Sequence, residues 1–129
     1  FHVSRFYPGF YNTRKYLGTP EKNKNSEAYI SPTEKRQYYI CGGIQGGQMS
    51  IYLHAMEKMK EMIDKDKTKN IIAKWHDESY WNRYMVSNID LFKFMKPNYC
   101  HPEKKRKKIA PNIKILALTK NHRLYRTKK

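Results

Sequence analysis

Residues 71–85 read IIAKWHDESYWNRYM, a short apolar run followed, after one lysine, by a tryptophan, a histidine, two carboxylates and a hydroxyl. The apolar run predicts a strand at residues 71–74, and the periodic apolar residues that follow predict a helix over about residues 78–87. In open α/β sheets, the carboxyl ends of the strands border the crevice in which ligands bind. The polar cluster between the two predicted elements is therefore the first candidate for a reactive site.

Two adjacent carboxylates, Asp77 and Glu78, stand at the predicted start of this helix. Aspartate is a favourable residue for capping a helix N-terminus, and Glu78 would then be free to point elsewhere. A capped helix with an ordinary ion pair is the alternative interpretation of the same residues. The pattern by itself leaves both interpretations open.

The rest of the chain alternates predicted strands and helices, which is typical of α/β architecture. The clearest helix is predicted at residues 48–66, where apolar side chains recur every three or four positions. We interpret its methionine-rich face, which begins at Met49, as core packing. Strands are predicted at residues 38–41, 91–95 and 113–118, and a short extended piece at residues 28–30.

Length and charge restrict the class of protein. The chain has 129 residues, enough for one small domain or a part of a larger one. Because it begins at Phe1, within what reads as a strand or loop, we expect a fragment or a processed product. The formal net charge is +16, and no acidic residue follows Glu103. Such a charge attracts polyanions, namely nucleic acids, phosphates or acidic membrane surfaces, although a solvated tail is the alternative.

Other sequence signals are weaker. No stretch approaches the roughly 20 apolar residues that span a bilayer, and no signal peptide is visible. The two cysteines, Cys41 and Cys100, do not form a disulfide framework and are predicted to be free thiols. Cys100 and His101 lack a second pair at zinc-ligand spacing, so no metal site is assigned to them. The glycine pairs within residues 42–47 allow close approach of a ligand to the backbone, although a tight turn is equally consistent.

Four ordered blocks of residues stand out along the chain. They are YPGFY at residues 7–11 with AYI at residues 28–30, YYICGGIQGG at residues 38–47, WHDESYWNRY at residues 75–84, and PNYC at residues 97–100. Together these blocks closely resemble glycosyltransferase family 6, which includes the ABO blood-group transferases and bacterial members, and whose pattern for the block at residues 75–84 is WHDESxLNKY.

This resemblance implies an α/β fold of the GT-A nucleotide-diphospho-sugar transferase type. Residues 1–129 would form the C-terminal part, about half, of a single catalytic domain, with a basic tail at residues 119–129. The implied activity is retaining transfer of GalNAc or Gal from a UDP-sugar to a β-galactoside in α1,3 linkage. The alternatives are an inactive fragment or a basic module that binds nucleic acid or a membrane surface. No nucleic-acid-binding motif supports the nucleic-acid alternative.

The cofactor depends on sequence outside this chain. The resemblance implies manganese if the N-terminal half carries a DxD motif, and no metal if it carries NxN. Within this chain, Asp64-Lys65-Asp66 is predicted to be a solvated turn, and no residue is assigned to a metal. The expected location is membrane-associated, either cytoplasmic for a bacterial protein or in the Golgi lumen for an animal one. Peripheral membrane contact is expected through the basic run at residues 104–108.

The resemblance also implies roles for particular residues on the donor side. Glu78 matches the catalytic carboxylate, which would act beneath the anomeric carbon as nucleophile or as stabiliser of positive charge. Asp77 matches a residue that hydrogen-bonds the donor sugar. Cys41, Gly42 and Gly43 match the segment that sets donor choice, and the small Gly43 favours UDP-GalNAc over UDP-Gal.

Two further groups of residues are implied by the same resemblance. Arg123 and Lys129 match tail residues that would bind the UDP diphosphate. The acceptor would be contacted by Tyr7, Thr19, Trp75 and His76. The family's acidic acceptor contact is replaced here by His101 and Pro102, so acceptor recognition departs from the family pattern.

Overall fold

A computed structural model of the chain describes residues 18–103 and 112–120, together with the backbone of residues 2–4. The elements of these residues, in chain order, are β1 (His2–Ser4), β2 (Ile40–Gln45), α1 (Met49–Thr68), α2 (Asp77–Ser87), β3 (Phe94–Met95), β4 (His101–Pro102) and β5 (Leu116–Ala117). Single 3-10 turns occur at Ile89–Leu91 and Pro97–Tyr99. The predicted mixture of helices and strands is therefore confirmed.

The described strands form two small sheets. In the first, β1 lies between β2 and β3, antiparallel to β2 and parallel to β3. In the second, β4 pairs in parallel with β5 through His101 and Leu116. The first sheet carries β2, which packs alongside α2.

Both predicted helices are present. On α1, Ala55 and Met59 are buried in the core, while Met56 and Ile63 pack against its edge. This agrees with the interpretation of the methionine face as core packing. Met49 is the exception, because it lies at the start of the helix with 76% of its surface exposed.

An aromatic cluster joins α2 to the segment that follows it. Trp81 is buried on α2 and meets the ring of Phe92 edge-on, with centroids 6.3 Å apart. Phe92 stacks on Phe94 of β3, and Phe94 stacks on Tyr38 at 3.9 Å, just before β2. Aromatic packing of this kind stabilises beyond the area it buries. It fixes α2 against the sheet.

The strand predicted at residues 71–74 is wrong, because this segment is a loop. The loop leaves α1 through Asn70, whose φ is 55°, and exposes 80% of Ile72. The backbone N–H of Lys74 donates to the carboxylate of Glu21 at 2.6 Å instead of to a neighbouring strand. Only Ala73 of the apolar run is buried. The apolar composition of residues 71–73 therefore predicted a strand where the structure has a loop, and that loop is anchored by the side chain of Glu21.

The other strand predictions hold in part. The strand predicted at 38–41 begins later and runs through the first glycine pair, as β2. Only Phe94–Met95 and Leu116–Ala117 are strands within the predicted segments 91–95 and 113–118. The extended piece at 28–30 is limited to one bridge between Glu21 and Tyr29. The run 104–108 and the tail beyond residue 120 lie outside the described residues.

The prediction of a solvated turn at residues 64–66 is also wrong. These residues belong to the last turns of α1, and Asp66 is fully buried. Its carboxylate accepts hydrogen bonds from the hydroxyl of Ser26 at 2.6 Å, the N–H of Glu27 at 2.8 Å and the hydroxyl of Tyr80 at 2.8 Å. A buried carboxylate needs such partners. Asp66 thereby ties the loop before β2 to both helices.

Candidate active site

The site begins at the turn that precedes α2. The N–H of Glu78 donates to the carbonyl of Trp75 at 3.0 Å, which closes a four-residue turn. Within it, His76 has φ 48° and ψ −126°, values close to those that a type II′ turn requires at its second residue. Glycine adopts this conformation easily, whereas a histidine is strained in it. The turn places both carboxylates, Asp77 and Glu78, in the first turn of α2.

Asp77 does not cap this helix, contrary to the simplest interpretation of the sequence. The cap position is His76, and its side chain makes no capping hydrogen bond. Asp77 and Glu78 are the first two helical residues, where negative charge is favoured by the helix dipole. Both carboxylates are therefore stabilised by their position and remain available on the surface of the site.

The carboxylate of Glu78 is held by groups from β2 and its lead-in. The hydroxyl of Tyr39 donates to Oε1 at 2.7 Å, and the backbone N–H of Gly42 donates to Oε2 at 3.0 Å. Glu78 itself is only partly buried. Its two oxygens are thus oriented from one side, while the group remains accessible.

Asp77 lies beside the same glycine. A β-carbon placed on Gly42 would be 3.2 Å from Oδ2 of Asp77 and 3.4 Å from Cβ of Glu78. A residue with a side chain would therefore press on both carboxylates. The structure brings together Gly42, Asp77 and Glu78, three of the residues assigned to the donor and to catalysis.

A buried asparagine joins the two elements of the site. Oδ1 of Asn82 accepts the N–H of Ile40 at 3.0 Å, and Nδ2 donates to the carbonyl of Ile40 at 2.9 Å and to that of Glu78 at 2.7 Å. In the sequence, Asn82 stood out only as part of the block at residues 75–84, without a role of its own. A polar residue on the buried face of a predicted helix was the available signal.

The thiols of Cys41 and Cys100 meet beside β2. Both are free cysteines, as predicted. A hydrogen bond from Cys100, and then the N–H groups of Gly43 and Ile44, lower the pKa of Cys41 to about 6 against the opposing effect of burial. Cys41 therefore carries thiolate character at neutral pH. The spacing of 59 positions gave no indication that these residues touch.

Two residues assigned to the acceptor also meet. The indole N–H of Trp75 donates to the hydroxyl of Thr19 at 3.1 Å, and Trp75 is 44% exposed. The amine of Lys74 lies 5.7 Å from the centre of the Trp75 ring, and the hydroxyl of Ser79 accepts the Trp75 backbone N–H. His76, next to it, is exposed. An open aromatic face thus stands beside the carboxylate pair.

Tyr7, Arg123 and Lys129 lie outside the described residues. His101, which replaces the family's acidic contact, is fully buried, and neither ring nitrogen has a hydrogen-bond partner in the described part of the chain. His101 therefore does not substitute for an exposed acidic contact.

The described residues do not provide a metal site. No group of three or more His, Cys, Asp or Glu side chains in residues 18–103 and 112–120 is arranged to hold an ion. Asp64 and Asp66 do not fit one, because Asp64 pairs with Lys60 and Asp66 is buried among its own donors. Over the same residues, none of the helices combines the length and apolar character needed to cross a membrane.

Comparison with known proteins identifies the class. The sequence profile described as Glycosyltransferase family 6 matches residues 2–127, so the chain belongs to this family. The resemblance found in the sequence blocks is therefore confirmed.

Individual relatives agree with this assignment. The Histo-blood group ABO system transferase 1 of Rattus norvegicus is 31% identical over 122 residues, which are 93% of this chain and 34% of that protein. The O-antigen biosynthesis glycosyltransferase WbnI of Escherichia coli is 35% identical over 79% of this chain and 42% of its own length. The Globoside alpha-1,3-N-acetylgalactosaminyltransferase 1 of Homo sapiens is 27% identical over 88% of this chain and 32% of its own length. The chain thus spans between 32% and 42% of the length of these relatives.

Proposed function

We propose that the protein carrying this sequence is a retaining glycosyltransferase that moves GalNAc or Gal from a UDP-sugar to a β-galactoside, in α1,3 linkage. The observation that carries the proposal is the placement of Asp77 and Glu78 at the start of α2, directly against Gly42 of the donor segment. The GT-A fold of the whole catalytic domain belongs to the same proposal.

Glu78 is the proposed catalytic carboxylate. Transfer with retention places positive charge on the anomeric carbon, and a carboxylate beneath that atom acts as nucleophile or stabilises the charge. The hydrogen bonds from Tyr39 and Gly42 approach Glu78 from the β2 side. Asp77, which is exposed beside it, is proposed to accept hydrogen bonds from the donor-sugar hydroxyls.

The donor is proposed to be UDP-GalNAc in preference to UDP-Gal. Gly43 is exposed and carries no side chain, which is proposed to leave room for the acetamido group, and Cys41 and Gly42 precede it in β2. The name of the human relative, an alpha-1,3-N-acetylgalactosaminyltransferase, supports the same donor. Arg123 and Lys129 are proposed to bind the diphosphate, since cationic side chains form strong hydrogen bonds with phosphate oxygens.

The acceptor is proposed to lie on the exposed face of Trp75. Aromatic rings pack against the apolar face of a sugar, and the hydrogen bond to Thr19 fixes the orientation of the indole. His76 and Tyr7 complete the proposed acceptor contacts. Manganese has no ligand set in the described residues, and no step of the reaction is assigned to it.

The proposed partners are the nucleotide sugar and the glycan, without nucleic acid. The basic run at residues 104–108 is proposed to touch an anionic membrane surface peripherally. The proposed cellular location is at a membrane, on the cytoplasmic side if the protein is bacterial and in the Golgi lumen if it is animal.

The proposal is tested with the full-length protein, UDP-GalNAc or UDP-Gal, and lactose as acceptor. We expect transfer with UDP-GalNAc, and a loss of turnover by about three orders of magnitude in Glu78→Gln, because the charge beneath the anomeric carbon is removed. Binding of UDP should be unchanged. Glu61→Gln, an equivalent change on the exposed face of α1, is the control. A folded protein that is inactive with both donors would refute the proposed function.

The 129-residue segment by itself is proposed to be inactive. It leaves large apolar side chains exposed, among them Ile51, Leu53 and Leu91, each with 44–54% of its surface open. A short piece of a domain buries too little apolar surface for full stability. Robust transfer by the isolated segment would show that this part of the proposal is wrong.

A further inference from the structure

The inference concerns the residue that holds the proposed catalytic carboxylate. The hydroxyl of Tyr39 donates to Oε1 of Glu78 at 2.7 Å, although the two residues are 39 positions apart. Tyr39 is 1% exposed, whereas Glu78 is partly open. The buried phenol of Tyr39 thus contacts the partly exposed carboxylate of Glu78 from the protein interior.

The Tyr39 ring occupies a space that only a glycine leaves open. A β-carbon on Gly18 would lie 2.2 Å from both Cγ and Cδ2 of Tyr39, far inside contact distance. The φ of Gly18 is +62°, which also favours glycine. Thr19, the next residue, is the partner of Trp75. Gly18, which borders the Tyr39 ring, and Thr19, which belongs to the proposed acceptor side, are therefore consecutive residues.

The distance between Tyr39 and Glu78 is fixed by the backbone on both sides. Asn82, one turn after Glu78, makes paired hydrogen bonds with the backbone of Ile40, the residue after Tyr39. Gly42, two residues further, holds the second oxygen of Glu78. Neither element can slide without breaking these contacts. The hydroxyl of Tyr39 is thus presented at one position.

We propose that Tyr39 is a positioning residue for Glu78 and that Gly18 provides the space its ring requires. This rests on the proposed function. A carboxylate that acts on an anomeric carbon must hold its oxygens within a narrow range of positions, and a rigid second residue is what restricts its rotamers. Tyr39 orients the carboxylate through one oxygen while the N–H of Gly42 holds the other.

The test is a double-mutant cycle in the full-length protein, with steady-state transfer from UDP-GalNAc to lactose. Tyr39→Phe keeps the buried ring and removes only the hydroxyl, so we expect kcat to fall about 10- to 100-fold with both KM values unchanged. In the Glu78→Gln background, Tyr39→Phe should cause little further loss, because residues that act as a unit are non-additive.

Two more variants sharpen the result. Gly18→Ala should reproduce the kcat loss of Tyr39→Phe, since the added methyl group displaces the ring. Tyr52→Phe is the matched control, because the same atom is removed from a tyrosine of α1 while its ring keeps its packing on Trp81. Its kcat should stay within about twofold of the parent, the range expected when no contact to the reacting groups is lost.

The outcomes separate the inference from the proposed function. The role of Tyr39 would be overturned if the parent is active and Tyr39→Phe keeps its kcat or changes only KM. It would also be overturned if the kcat loss of Tyr39→Phe adds fully to that of Glu78→Gln. Either result would leave the proposed transferase function in place. A parent without transfer would overturn both. Circular dichroism and the thermal midpoint of Tyr39→Phe should match the parent, and a large fall in either would assign Tyr39 to folding instead.

Discussion

The Sγ atom of Cys100 lies 3.2 Å from the position that a β-carbon would take at Gly43. Gly43 belongs to β2, and Cys100 follows the 3-10 turn at Pro97–Tyr99. The space beside the glycine is therefore bounded by one flexible thiol and not by backbone. A small side chain at position 43 can be accommodated by a shift of a few tenths of an ångström in that thiol.

Gly43→Ala should accordingly fold and change the donor preference. The added methyl group reduces the room for an acetamido group, so we expect the ratio of kcat/KM for UDP-GalNAc to that for UDP-Gal to fall about tenfold or more, the usual effect of one methyl group in a pocket. Parallel assays with the two donors measure this ratio. An unchanged ratio in an active variant would mean that Gly43 does not face the 2-substituent of the donor.

Gly42→Ala is the matched comparison one residue earlier. Its β-carbon would meet Asp77 and Glu78 instead of a thiol. We expect this variant to lose turnover with both donors by a similar factor, because the carboxylates are displaced. A selective loss of one donor would instead assign donor choice to Gly42.

Cys41 should react as a thiolate at neutral pH. Because hydrogen bonding from Cys100 lowers the pKa of Cys41 to about 6, the rate of alkylation should rise as the pH passes through about 6 and level off above it. Mass spectrometry after timed treatment with iodoacetamide measures this rate for the peptide containing Cys41. Cys100→Ala should move the midpoint to higher pH. A midpoint near 8.5 in the unchanged protein would contradict the contact between the two thiols.

Asp66→Ala should destabilise the protein. The change leaves the hydroxyls of Ser26 and Tyr80 buried without their acceptor, and we expect the free energy of unfolding to fall by about 3 kcal/mol. Urea unfolding of the full-length protein gives this value. Asp64→Ala, on the same helix, removes only exposed ion pairs and should leave the midpoint unchanged. Equal effects of the two variants would contradict the buried role of Asp66.

His76→Gly should make the protein more stable and less active. Glycine relieves the strained conformation at φ 48°, so we expect the free energy of unfolding to rise by about 1 kcal/mol. His76→Ala also removes the imidazole but keeps a β-carbon, and it should bring no such gain. Chemical denaturation and transfer assays of both variants separate the two effects. Identical stabilities of the glycine and alanine variants would show that the turn is not strained.

Local signals in the sequence were sufficient for the two helices and for the carboxylates at the start of α2. The three- and four-residue periodicity of α1 and the ordered block at residues 75–84 both lie within single segments. The prediction of a strand at 71–74 rested on the apolar residues Ile71 and Ile72. It failed because this segment is a loop held by the carboxylate of Glu21. That contact spans 53 positions, and no local pattern encodes it.

The sequence by itself determined the family, the two helices and the pair of carboxylates at the start of α2, because these depend on residue type and short-range periodicity. Only the tertiary structure decided that Tyr39 reaches Glu78, that Cys41 meets Cys100 and that Asp66 is buried. Each of these joins segments from different parts of the chain. Their geometry follows from how the helices and β2 pack together, since a hydrogen bond forms only when packing brings its two atoms within about 3 Å.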